Sequence, residues 1–198
     1  YIERQLRNWR EGIRGTHSED IYGMQMRPMA MTLIKDSDLR RVVEYITTLR
    51  GAPSETSIQG DIDLGKTAYA TCTACHGSQG EGNKALNAPK IAGLPDWYVV
   101  RQLKSFKKGI RGTHQKDIYG QQMRPMAMAL ASDQAIKDVT AYVSTLKGVS
   151  VAKPAGAMSK LVSAVVKSPV NEPLYAPCAS CHGSNGEGNQ RLGAPRLA

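Results

Sequence analysis

The sequence predicts an all-α fold arranged as two small helical bundles. Three observations carry that expectation: apolar residues recur at three-to-four spacing, glycine and proline sit where helices stop and start, and long stretches of the chain occur twice. Asp36 to Gly51 is the first such segment, with Leu39, Val42, Val43, Ile46 and Leu49 on one face. Asp63 to Cys75 has helix-favouring spacing as well. Pro95 suits the first turn of a helix that carries Trp97, Tyr98, Val99, Leu103 and Phe106 and stops at Gly109. Ser132-Asp133-Gln134-Ala135 opens another, with Ile136, Val139, Tyr142, Val143 and Leu146 on one face and Gly148 as its stop. The glycine-rich and proline-containing stretches between these helices read as loops. Residues 149–169 read as a connector of small residues punctuated by lysine, with a short amphipathic helix expected from Met158 to Lys167.

At 198 residues the chain suits one or two small domains. Its 41% hydrophobic content excludes disorder as the default state. The longest apolar runs, Met126 to Ala131 and Leu161 to Val166, fall short of the ~20 residues that span a bilayer, so no membrane helix is expected. No secretory leader is visible from Tyr1 onward, and a trimmed product would look the same. The formal charge is +9, from 26 Lys and Arg against 17 Asp and Glu. Nucleic acid, anionic lipid and an acidic protein are the partners such a charge suggests. The basic residues are spread along the chain without a block of five or six, which favours a docking face for an acidic protein over nucleic acid.

Tyr1 to Leu33 aligns with Tyr98 to Leu130 without a gap and with 22 identities in 33 positions. Cys72 to Ala92 aligns with Cys178 to Ala198, with 13 identities in 21 positions. Only the middle copy is whole. Residues 51–148 therefore read as a complete domain, 1–50 as the back half of a second one, 149–169 as the connector, and 170–198 as the front half that would complete a domain with 1–50. The halves could close on each other within one molecule or complete domains in neighbouring molecules. Alternatively, the native order of the segments differs from the one read here, with a short loop joining 198 to 1. The first and third arrangements give the same two-domain object and are preferred; the second would build a filament or array.

All four cysteines fall in one pattern, Cys72-Thr-Ala-Cys75-His76 and Cys178-Ala-Ser-Cys181-His182, with none left for a disulfide elsewhere. This is the attachment signature of a c-type haem. Two thiols three positions apart reach the two vinyl groups of one porphyrin, and the adjacent histidine presents its imidazole to the iron. A four-thiolate zinc site or a dithiol redox centre would need no histidine after each pair and no downstream methionines. Two haem c groups are the expected cofactors, and their propionates would offset part of the positive charge. A methionine sulfur is the common sixth ligand in electron-transfer cytochromes. Met26, Met29 and Met31 are candidates in one copy and Met123, Met126 and Met128 in the other. Met24 drops out because its counterpart is Gln121, and spacing alone does not separate the rest. His17 and His114, at equivalent Gly-Thr-His positions, are expected to be loop or surface residues.

Cys-x-x-Cys-His-Gly, Gly-Glu-Gly-Asn, Ala-Pro-x-Ile/Leu-Ala, Tyr-x-x-x-Gln-Leu, Met-Arg-Pro-Met-Ala and a closing Ser-Asp helix together resemble class I cytochromes c. More closely, the chain is similar to the tandem-domain dihaem cytochrome c4 group of bacterial periplasms. The resemblance implies two class I cytochrome c domains, each a small bundle around its haem. It implies Met123 and Met26 as axial ligands, with Met126 and Met29 as runners-up. Pro89 and Pro195 become the carbonyls that hold the ligand histidines. One haem would then take Cys72, Cys75, His76 and Met123, the other Cys178, Cys181, His182 and Met26. The implied function is one-electron transfer between respiratory redox partners, such as a quinol-oxidising complex and a terminal oxidase, without catalysis. A cytochrome subunit or domain of a larger respiratory or dehydrogenase complex is the alternative.

Overall fold

The computed structural model describes residues 1–51, 55–148 and 172–197. Among these residues the regular structure is helical: α1 (Ile2–Arg10), α2 (Ile21–Met31), α3 (Asp36–Ile46), α4 (Ile62–His76), α5 (Asp96–Lys107), α6 (Ile118–Met128), α7 (Asp133–Thr145) and α8 (Glu172–His182). The connector at 149–169, with its expected helix from Met158 to Lys167, lies outside the described residues. No described helix is long and apolar enough to cross a membrane.

Local chemistry accounts for where the helices begin. Asp61 accepts hydrogen bonds from the Asp63 and Leu64 amides, each at 2.9 Å, and so caps α4. The Ser132 hydroxyl does the same for α7 through Ala135 at 3.0 Å. Pro95, with φ −56°, is the N-cap of α5 rather than its first residue. Two helices end earlier than the glycine stops predicted. α3 closes at Ile46 and not Gly51, because the Thr47 and Thr48 hydroxyls turn back onto the carbonyls of Glu44 and Tyr45 at 2.6 and 2.7 Å. In α7 the Thr145 hydroxyl makes the same bond to Tyr142, and the helix ends three residues before Gly148.

The Met-Arg-Pro-Met stretches correct the loop expectation, since both are helical, as α2 and α6, with Pro28 and Pro125 inside them. An internal proline costs about 3 kcal/mol. Two features outweigh it in each copy. Asp20 and Asp117 cap the first turn through the Gly23 and Gly120 amides at 3.0 and 3.1 Å. Ala30 and Ala127, with almost no exposed surface, anchor the last turn in the core.

Two hydrophobic cores result. The middle bundle packs Tyr69, Leu130, Ile136, Val139, Val143 and Leu146 together, from α4, α7 and the end of the Met helix. α4 crosses α7 at Gly65, where a Cβ would stand 2.0 Å from the Asp138 carbonyl oxygen, so only glycine permits the approach. The outer bundle joins the two ends of the described chain. Leu6, Ala30, Leu33, Leu39, Val42, Ile46 and Leu49 from α1 to α3 share one core with Tyr175 of α8, and Leu174, Cys178 and Leu197 pack against it.

Candidate functional site: two haem-attachment turns

Cys72, Cys75 and His76 form the last turn of α4, and Cys178, Cys181 and His182 the last turn of α8. Spacing of three and four places the three groups of each set on one helix face. Cys72 and Cys178 are half-buried against their cores, while Cys75 and Cys181 are exposed. Burial pushes the Cys72 and Cys178 thiols up from their ordinary values, so they are held as thiols.

Both histidines are enclosed, at 7% and 4% exposure. His76 Nδ1 lies 2.8 Å from the Pro89 carbonyl oxygen, and His182 Nδ1 lies 2.8 Å from that of Pro195. A carbonyl only accepts, so Nδ1 carries the proton and Nε2 is left with its lone pair for a metal. Burial lowers both pKa values, against the opposing pull of the proline carbonyl, and keeps the imidazoles neutral as ligation requires. Behind each site a tyrosine ties the helix to the turn that follows it: Tyr69 donates to the Gly77 carbonyl and Tyr175 to that of Gly183, both at 2.7 Å.

These features fit a covalently held haem better than zinc. A four-thiolate site needs the two cysteine pairs together, and among the described residues no three of His, Cys, Asp or Glu converge on one point. The methionines are sorted by burial. Met26 is half-buried and packs against the same outer core as Cys178, and Met123 is half-buried at the equivalent position of α6. Met29 and Met126 are 38% and 43% exposed. His17 and His114 are exposed, and their Nδ1 atoms accept from the Glu19 and Lys116 amides at 3.2 and 3.1 Å, which makes them loop-forming groups.

One part of the site was missed from the sequence. Arg14 and Arg111, in the repeated Gly-Ile-Arg-Gly-Thr-His element, are each only 6% exposed and meet where the two bundles touch. Gln5 Oε1 accepts from both guanidiniums, Gln102 Oε1 accepts from Arg111, and the two planes stack on Trp9 and Phe106, each at 4.3 Å. Neither guanidinium forms an ion pair among the described residues. Burial, with Arg111 beside it, brings Arg14 down to about 10. Two buried cations without an ion pair among the described residues fit the propionate carboxylates that two haems would bring, and these are the residues that would hold them. The signal was present in the sequence as an arginine kept in both copies.

The Cytochrome c family model matches residues 62–147. Cytochrome c4 of Stutzerimonas stutzeri is 32% identical over 158 residues, which cover 79% of this chain and 73% of that protein. The CcoP subunit of the cbb3-type cytochrome c oxidase of Rubrivivax gelatinosus is 36% identical over 91 residues, 42% of this chain and 28% of that one. The solved structure of Acidithiobacillus ferrooxidans cytochrome c4 superposes with a TM-score of 0.57 at 22% identity, over 74% of this chain and 83% of that one, and supports the fold. A relative this similar over most of both chains decides the matter that two haem-attachment turns had raised: the protein belongs to the cytochrome c4 family, carries two c-type haems and works as an electron carrier.

Proposed function

We propose that this chain relays single electrons between a quinol-oxidising complex and a terminal oxidase in the bacterial periplasm, without catalysing a reaction of its own. Each bound haem iron supplies a one-electron couple. The chain's own residues would hold each haem: Cys72, Cys75 and His76 with Met123 in the middle bundle, Cys178, Cys181 and His182 with Met26 in the outer one. Residues 1–51 and 172–197 together make up the outer haem domain. Pro89 and Pro195 keep the histidines in one tautomer.

The observation that carries this reading is the placement of Met26, half-buried against the core that also receives Cys178, while Met29 and Met126 face outward. Met26 and Met123 would each offer a thioether, and His182 and His76 a neutral imidazole, to hold the haem iron. Held by both groups, the iron would offer no place to peroxide or oxygen, and its potential would rise into the range useful late in a respiratory chain. The net charge of +9 favours partners with acidic docking faces.

Rapid mixing of the reduced protein with a cbb3-type oxidase tests the assignment. Oxidation of both haems, slowing steeply as salt rises, is the expected result. A reduced protein that stays reduced would remove the oxidase from the scheme. The similarity to an oxidase subunit favours a second reading, a haem domain within a larger complex. In that case the protein would co-purify with the membrane fraction in fixed stoichiometry.

A further inference from the structure

The two bundles grip each other through a matched pair of arginines. Arg4 on α1 lays its guanidinium 4.2 Å over the Tyr119 ring of α6, and its Nη2 donates to the Asn87 carbonyl at 2.8 Å. Arg101 on α5 makes the return contact, 4.1 Å over the Tyr22 ring of α2, with Nη2 donating to the Gly193 carbonyl at 2.7 Å. Arg4 and Arg101 are equivalent positions of the repeat, as are Tyr22 and Tyr119, and Asn87 and Gly193. In this pair of contacts the interface is two-fold in kind: what Arg4 does to the middle bundle, Arg101 does in return to the outer one.

Both gripped carbonyls belong to residues in the left-handed region, Asn87 at φ 54° and Gly193 at φ 65°. Two residues further on stand Pro89 and Pro195, the acceptors for His76 and His182. Between grip and acceptor the turn is tied down by paired backbone bonds. Asn83 and Ala88 exchange them at 2.9 and 3.0 Å, and Asn189 and Ala194 at 2.7 and 2.9 Å. A turn held this stiffly passes displacement at its tip to the proline carbonyl.

We propose that Arg4 and Arg101 are positioning residues: each fixes, from the opposite bundle, the turn that hydrogen-bonds the haem-binding histidine, and so sets the reduction potential of the haem across the interface. The strength of the histidine's outer hydrogen bond tunes the basicity of a metal-bound imidazole, which links geometry to potential. Arg4 thus acts on the His76 haem and Arg101 on the His182 haem. The proposal rests on the two-haem reading above. Failure of that reading would show in the unmodified protein as the lack of two one-electron waves, independently of any variant.

The test uses the holoprotein with Arg4→Met and Arg101→Met, each titrated spectroelectrochemically. The haems are assigned by the shifted proton signals of their histidines, and amide exchange is followed at Ala88 and Ala194. Arg4→Met is expected to change the reduction equilibrium of the His76 haem at least threefold, about 28 mV at 59 mV per tenfold for one electron. It should also speed exchange at Ala88, with the His182 haem and Ala194 unchanged. Arg101→Met gives the mirror image. Equal shifts at both haems, a shift confined to the arginine's own bundle, or unmoved potentials would overturn the proposal. Should Arg4→Met fail to assemble with both haems, Tyr119→Leu keeps the cation and removes the ring beneath it. The same crossed pattern at smaller amplitude is then expected, and its absence counts equally against the idea.

Discussion

Asp138 on α7 and Arg41 on α3 occupy equivalent positions of the repeat, yet their surroundings differ. Asp138 is 5% exposed and accepts from the Asp61 amide at 2.9 Å and from Gln134 Nε2 at 2.8 Å, so it fastens the segment leading into α4. Among the described residues Arg41 reaches only Asp38, at 3.5 Å, and 46% of its side chain stays exposed. The same contrast runs along the neighbouring helices. In the outer bundle Arg7 and Arg10 both grip Asp36, at 2.7 and 2.6 Å. In the middle bundle Lys104 takes Asp133, and Lys107 turns instead to the Leu130 carbonyl. One haem site is thus compatible with two ways of fastening its helices, a buried acid bonded to backbone in one bundle and forked surface ion pairs in the other. Both bundles should respond to salt and acid, the outer one more strongly, since Asp36 is held by two arginines and Asp133 by Lys104.

The largest effects test whether the bundles are separate haem sites. Replacing Cys72 and Cys75 by alanine should lower the intact mass by one haem and leave the other spectrum in place, and the Cys178, Cys181 pair should do the same for its own site. Loss of both haems from either variant would tie the two sites into one folding unit. Next in size, Asp138→Ala leaves the Asp61 amide without its acceptor. By the usual cost of a buried group left unpaired, it should destabilise the middle bundle by about 1–3 kcal/mol in a denaturant titration. Arg41→Ala at the equivalent place should stay within about 0.5 kcal/mol. Equal effects would dissolve the comparison.

A third pair sharpens it at the interface. A Cβ on Gly193 would stand 2.0 Å from Cε1 of Tyr22, so Gly193→Asn must push that ring away from Arg101. Asn87→Gly merely relieves a left-handed non-glycine residue and should change stability by less than about 1 kcal/mol. Thermal unfolding of the two variants checks the difference.

The smallest effect is a pH dependence. Arg7 first and Arg10 next hold Asp36 down to about 2 from its ordinary 3.8. A carboxyl whose folded pKa is depressed contributes stability above its unfolded value and loses it as pH falls through the folded one. The outer bundle's unfolding midpoint should therefore drop between about pH 4 and pH 2, and Asp36→Asn should flatten that slope. A midpoint as steep in Asp36→Asn as in the unmodified protein would remove Asp36 from the acid response.

Much of this was readable before any coordinates. The helical faces from Leu39 to Ile46 and from Ile136 to Val143, the helix start at Ser132, and the two Cys-x-x-Cys-His turns are local patterns, complete within a few residues. The helices α2 (Ile21–Met31) and α6 (Ile118–Met128) were not readable, because proline is a local breaker and the packing of Ala30 and Ala127 that overrides it is not local.

By itself the sequence determined the helix periods, the covalent haem chemistry and the doubling of the domain, since each needs only short-range spacing or comparison of the chain with itself. Tertiary structure alone decided which arginines are surface charge and which are buried. Arg14 and Arg111 find Gln5 and Gln102, and Arg4 and Arg101 reach turns beside the other bundle's histidine, across separations of up to 106 residues. A guanidinium's cost or benefit depends on what faces it. Here what faces it is the other copy of the repeat, set by how two bundles dock and written in no stretch of either one.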